Sequence, residues 1–106
     1  MIKKKIRGTE NYPRLYIFKS NKHLYAQLID DKNKHIIATS STISPEITNN
    51  QTLFRTCKTA QLIGKQIAIK SKAKGIQKVI FDRGKNLYHG QIKAIADAVR
   101  EEGIYL

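Results

Sequence analysis

The sequence predicts a single α/β domain: a mixed four-stranded sheet with element order βββαβα, two helices on one face, and a basic N-terminal tail. Three observations predict it. Residues 13–41 hold three short strand-like runs separated by tight polar turns. Residues 52–72 and 91–102 repeat apolar side chains in steps of three and four, the spacing of one helix face. A short apolar run, Lys78-Val79-Ile80-Phe81, lies between these helical patterns. Strand, helix and strand in succession favour parallel pairing with a right-handed crossover, which puts both helices on one side of the sheet.

Residues 1–11 are basic and polar, with Lys3, Lys4, Lys5 and Arg7 forming a tail that has too little apolar content to fold alone. The folded domain covers residues 12–106. Pro13 introduces the first strand, Arg14-Leu15-Tyr16-Ile17-Phe18-Lys19, and Ser20-Asn21-Lys22 forms a turn. From His23 to Ile29 the alternation is regular, with Leu24, Ala26 and Leu28 on one face and His23, Tyr25 and Gln27 on the other. A turn at Asp30-Asp31-Lys32-Asn33 leads to a third strand over residues 34–41, completing an antiparallel meander.

A polar loop with Pro45 precedes the first helix, expected over residues 52–72 with Asn49 or Asn50 as its cap. At about 1.5 Å per residue it is about 30 Å long. Leu53, Cys57, Ala60, Gly64 and Ile67 make its apolar stripe, so Cys57 is expected as a small buried residue. Gly75 closes the helix. The run at 78–81 reads as a buried strand, residues 82–90 as a loop, and residues 91–102 as the last helix, with Ile92, Ile95, Ala96 and Val99 facing inward and Gly103 ending it.

Charge narrows the function. Lys and Arg number 20 against 8 acidic residues, a net charge of +12 over 106 residues. A compact domain so basic repels itself unless a polyanion neutralises it, and lysines beside phosphates gain affinity by releasing counterions. A single cysteine allows no internal disulfide and fits a reducing compartment. No apolar run has the length of a transmembrane helix, and MIKKKIRG has no apolar core behind its charges, so neither a membrane span nor a signal peptide is expected. The helices mix charges on their polar sides, which does not suit a membrane surface.

If Leu15, Ile17, Leu24, Ala26 and Leu28 face the helices, Arg14, Tyr16, Phe18, His23, Tyr25 and Gln27 face the other way. An aromatic, cationic and hydrogen-bonding sheet face suits RNA, whose bases stack on rings or whose sugars lie against them. Lys19, Ser20, Asn21 and Lys22 stand at the adjacent turn, within reach of phosphates. The competing reading is cross-strand packing of Tyr16, Phe18 and Tyr25 among themselves; the net charge favours RNA. A second candidate is the loop at 82–90, where Gly84 and Gly90 permit close backbone approach, Arg83 and Lys85 suit phosphates, and Tyr88 and His89 suit stacking or hydrogen bonding. The last helix begins directly after Gly90, and its N-terminus favours an anion.

Two blocks, PRLYIFKSNKHLYAQLIDD and KVIFDRGKNLYHGQIKAIADAVREEGI, resemble the bacterial and plastid type of the L-eighteen family of large-subunit ribosomal proteins. The resemblance is collinear over nearly the whole chain, and FDRG followed by YHG ahead of an amphipathic helix is its most specific part. It implies the βββαβα fold, and a structural constituent of the ribosome that binds 5S rRNA and helps attach it, with neighbouring 5S-associated proteins, to the large-subunit rRNA in the central protuberance. It implies 5S rRNA contacts for the sheet face, for the turn at Ser20-Asn21-Lys22 and for the basic tail, with the 82–90 loop at the rRNA interface. Richness in Ile, Lys and Asn fits an AT-rich genome, so a plastid or bacterial ribosome is the expected home.

An enzyme is not expected. A two-metal nuclease needs several carboxylates at one point, and Asp30 and Asp31 are expected at the opposite end of the sheet from Asp82. His23, His35 and His89 are scattered without metal-ligand spacing. No glycine-rich nucleotide loop is present. No metal, cofactor or small-molecule substrate is implied. The alternative is a free-standing RNA chaperone or regulator using the same sheet face.

Overall fold

A computed structural model describes residues 8–20, 23–43, 56–84 and 90–106. The strands are β1 (Arg14–Lys19), β2 (Leu24–Asp30), β3 (His35–Ser41) and β4 (Ile80–Asp82); the helices are α1 (Cys57–Ala73) and α2 (Gln91–Glu101). The sheet order is β3-β2-β1-β4, with β1 antiparallel to β2, β2 antiparallel to β3, and β4 parallel to β1. This is the mixed four-stranded α/β fold that the alternation and the helical stripes predict.

Period-two alternation sets which side is buried. Leu15 and Ile17 of β1 and Leu24, Ala26 and Leu28 of β2 are at most 1% exposed and pack on Ala60, Ile63 and Ile67 of α1 and Ile92, Ile95 and Val99 of α2. Burying a side chain of this size contributes about 1.5–3 kcal/mol, so this layer fixes the sheet's register and which face stays uncovered. The helices approach closely at Gly64, where a Cβ would lie 2.6 Å from the Ile95 carbonyl oxygen and 2.8 Å from the Ala98 Cβ.

The ends of α1 are set by local hydrogen bonds. Thr56 is extended (φ −137°, ψ 169°) and caps the helix: Thr59 N–H donates to Thr56 Oγ1 at 3.1 Å, and Thr56 N–H donates to Thr59 Oγ1 at 2.8 Å. The helix therefore begins at Cys57 rather than at residue 52; Asn49, Asn50 and Leu53 lie outside the described residues. Cys57 has the phase of the stripe but occupies the first helical position, and burial starts only with Thr59 and Ala60, so the thiol is exposed rather than buried. At the other end Gly75 takes φ +75°, its N–H donates to Lys72 O at 3.0 Å and the Ile76 N–H to Ser71 O at 3.0 Å. These two bonds satisfy the last carbonyls and turn Ile76 into the core. The Glu102-Gly103-Ile104 sequence closes α2 in the same way.

Two expectations are corrected. The apolar run at 78–81 is not a buried strand: β4 is Ile80–Asp82, half-buried at the sheet edge. Residues 77–79 instead pair with Tyr105, through Tyr105 N–H to Gln77 O and Val79 N–H to Tyr105 O, each 2.9 Å. The carboxylates are also not at opposite ends of the sheet. Ile80 pairs with Arg14, and β4 is only three residues long, so Asp82 lies level with Tyr16; the antiparallel β2 ends beside Arg14 as well. Asp31 and Asp82 therefore flank the same arginine.

Candidate nucleic-acid interface

The uncovered side of the sheet is built by the residues that alternate with the core. Arg14, Tyr16 and Phe18 of β1, His23 just before β2, and Tyr25 and Gln27 of β2 are half-buried on that side. Phe18 is directly opposite Tyr25, and Tyr16 opposite Gln27. The rings form one column: Phe18 stacks on Tyr25 with centroids 4.7 Å apart and planes 5° apart, and Tyr16 stacks on Phe18 at 5.4 Å and 27°. The Arg14 guanidinium lies over the Tyr16 ring, 5.4 Å from its centroid, which extends the column by a cation–π contact. The cross-strand packing and the outward-facing surface anticipated from the sequence are thus one object.

Arg14 is also the hub of a hydrogen-bond network that holds the face to its flanking segments. Its Nε donates to Asp31 Oδ2 at 3.0 Å, its Nη2 to Asp31 Oδ1 at 3.0 Å, and its Nη1 to Asp82 Oδ2 at 2.9 Å. The forked guanidinium suits this two-carboxylate geometry. The hydrogen bond to Asp31 is the main reason its pKa lies above the ordinary arginine value; burial opposes the shift and Asp82 adds to it. Asp31 also receives the Gly8 N–H at 2.6 Å and donates its own N–H to Gly8 O at 2.9 Å. Asp82 accepts the Gly84 N–H at 2.9 Å. One arginine thereby joins the root of the tail, the turn after β2 and the start of the 82–90 loop.

The remaining site residues are spread over several segments. On the sheet face, His23 Nδ1 lies 2.8 Å from Thr42 Oγ1, which also accepts the Leu24 N–H at 3.2 Å. Lys19 and Ser20 are exposed, and Ser20 N–H donates to His23 O at 3.0 Å to close the turn. Arg83 is exposed, and Gly84 follows beside the ring of Tyr16, where a Cβ would be 3.3 Å from Tyr16 Cε1. Gly90 is elsewhere: it caps α2 at φ +57° and borders a cleft between the helices with Gln61, Leu62, Lys65 and Lys93. Lys3, Lys4, Lys5, Arg7, Asn21, Lys22, Tyr88 and His89 lie outside the described residues.

Sequence reasoning placed the outward set but missed Asp31 and Asp82 as Arg14's partners, Gly8 as the partner of Asp31, and Thr42 as the partner of His23. The available signal was a lone outward arginine beside a turn with two aspartates; the register of β4 decided the rest.

The family described as "Ribosomal L18 of archaea, bacteria, mitoch. and chloroplast" matches residues 1–106. The chain belongs to the ribosomal L18 family. Its relatives include the large ribosomal subunit protein uL18c of Gracilaria tenuistipitata var. liui, 61% identical over 103 residues that cover 97% of this chain and 98% of the relative. They include the large ribosomal subunit proteins uL18 of Rippkaea orientalis, 50% identical, and Crocosphaera subtropica, 48% identical, each over 97% of this chain and 86% of the relative.

As an L18 protein the chain is a structural ribosomal component and not an enzyme. Among the described residues no group of three or more His, Cys, Asp and Glu side chains could hold a metal, and no described helix is long and apolar enough to cross a membrane. Asp31 and Asp82, the carboxylates that do converge, are bridged by a guanidinium, so their charge is answered inside the fold. What the L18 face presents outward is aromatic edges, amide and hydroxyl groups, and the cations of the turns.

Proposed function

We propose that this large-subunit L18 protein binds 5S rRNA through the outer face of its sheet and helps attach it to the large-subunit rRNA in the central protuberance, beside neighbouring 5S-associated proteins. The observation that carries the proposal is the Tyr16–Phe18–Tyr25 column on a face that no described helix covers, in a chain of net charge +12. A preformed, buttressed aromatic face loses little conformational freedom on binding. Lys3, Lys4, Lys5 and Arg7, with Lys19, Lys22 and Arg83, supply long-range attraction to phosphates. The sheet face then seats on one shape of RNA, helped by His23, Gln27 and the backbone at Ser20 and Gly84. The tail and the 82–90 loop, with Tyr88 and His89, extend the contact from either side of the Arg14 hub.

Tyr16→Ala combined with Phe18→Ala tests this. The rings face away from the core, so the variant folds, as circular dichroism checks. Loss of a buttressed contact worth about 1.4 kcal/mol weakens 5S rRNA binding about tenfold. Unchanged affinity in a folded variant removes the sheet face from the interface.

A further inference from the structure

On the side of the domain away from the sheet face, α1 presents a line of exposed cations. Its buried residues Ala60, Ile63 and Ile67 pack toward the sheet and α2. At 3.6 residues per turn, Lys58, Leu62, Lys65, Ile69 and Lys72 fall in steps of four and three on the opposite side, and all five are exposed. The helix carries no acidic residue. A helix face that is merely solvated balances its signs, and α2 does so: Asp97 lies 2.8 Å from Lys93 Nζ and 3.3 Å from Arg100 Nη1. Two of the α1 lysines are engaged within the fold, Lys70 with the Thr39 carbonyl oxygen at 2.6 Å and Lys72 with Glu102 at 3.3 Å. Lys58 and Lys65 form no ion pair among the described residues. On the sheet face, by contrast, the charge of Arg14 is answered by Asp31 and Asp82.

We infer that the outer line of α1, through Lys58 and Lys65, holds the phosphate backbone of a second RNA segment on the far side of the domain from the sheet, so that one copy of the protein bridges two RNA segments. The inference rests on the proposed 5S rRNA contact for the identity of the first segment only. Lysines in line, two helical turns or about 10 Å apart, gain affinity for phosphates by counterion release whatever the RNA sequence. Leu62 and Ile69 are separated by Lys65 and form no continuous apolar patch of the kind that marks a protein partner. The carboxylates that border the cleft between the helices, Asp97, Glu101 and Glu102, stand on the α2 side. They direct a polyanion onto the outer line of α1 and away from the cleft. The two RNA surfaces therefore differ in chemistry: a shaped aromatic face on the sheet, and charge without shape on α1.

The test starts from the purified one-to-one complex of the full-length protein with 5S rRNA, to which a fluorescent RNA hairpin is titrated at several salt concentrations. Lys58→Gln combined with Lys65→Gln removes two exposed charges, and glutamine matches lysine in helix propensity, so α1 is kept. The wild-type complex is expected to take up the hairpin without releasing 5S rRNA. The double variant is expected to bind the hairpin more weakly, with a log–log salt slope smaller by about two, while its affinity for 5S rRNA is unchanged. A hairpin that displaces 5S rRNA, a complex that takes up no hairpin, or a variant with the wild-type slope overturns the inference, the last result leaving the α1 line to a protein partner. Failure of the free protein to bind 5S rRNA overturns the sheet-face reading instead; the hairpin slope of the free protein, wild type against double variant, then still decides the role of α1.

Discussion

Arg14 is the residue whose role the structure changes most, and its replacement separates two accounts of the site. In Arg14→Gln the three guanidinium bonds to Asp31 and Asp82 disappear. Charge-assisted bonds contribute about 1.5–3 kcal/mol each when buried and far less when exposed. Here the three side chains retain 20%, 24% and 16% exposure. A total loss of about 2 kcal/mol is the reasonable discount. For a domain of this size that lowers Tm by about 10 °C. Arg14→Lys keeps the charge, but an ammonium cannot fork across two carboxylates, so it restores at most half of the loss. The second assay is 5S rRNA affinity against salt. A lost phosphate contact lowers the log–log slope by about 0.9. Because Arg14's charge is engaged within the fold, the account predicts that Gln at this position lowers Tm and affinity with little change in slope. A slope reduced by about one with an unchanged Tm would make Arg14 a phosphate ligand and refute the hub.

Other perturbations probe the rest of the scaffold. Gly64→Ala gains about 1 kcal/mol of helix propensity but places a methyl group 2.6 Å from the Ile95 carbonyl oxygen; overpacking of about 1–3 kcal/mol exceeds that gain, so thermal unfolding shifts downward, and a raised Tm would show that the helices separate freely. Thr56→Ala removes the Thr59 N–H to Thr56 Oγ1 arm of the capping box and costs about 1 kcal/mol in a urea titration; no change would mean that α1 is held by its packing alone. Changing Lys3, Lys4 and Lys5 together to Ala lowers the salt slope of RNA binding by about two to three, and an unaltered slope would remove the tail from the interface. Asp30 is held below its ordinary pKa chiefly by the Asn33 side chain, with the Asn33 and Lys32 backbone N–H groups assisting. Its contribution is therefore complete above the unfolded pKa and is lost as pH falls through the lowered folded value; Asp30→Asn flattens that acid limb, and an identical pH profile would contradict the assignment.

The parts of this fold that were legible from the chain are those that repeat. Period-two alternation in β1 and β2 separates Leu15, Ile17, Leu24 and Leu28 from Tyr16, Phe18 and Tyr25, and the same division orders the core and the outer face. Gly75 and Gly103 mark helix ends because a positive φ suits glycine. What escaped depends on where periodic elements stop. Cys57 has the phase of a buried residue, yet the threonine pair at 56 and 59 starts the helix there and leaves it exposed. The run at 78–81 is apolar enough for a buried strand, but its first half pairs with Tyr105, a partner far along the chain. The meeting of Asp31 and Asp82 at Arg14 follows from the three-residue length of β4, which composition does not encode. The site shows the same pattern: the aromatic column follows from alternation, and the network that anchors it follows from register.

Competition binding tests the central claim most directly. The purified protein is titrated onto 5S rRNA in the presence of tRNA, a comparably compact RNA, at a low and a high salt concentration. The account predicts a preference for 5S rRNA that survives the higher salt, because a shaped sheet face adds to the counterion-release contribution that salt removes. Equal affinity for both RNAs, collapsing together as salt rises, would contradict it and leave only the attraction of a basic domain for any polyanion.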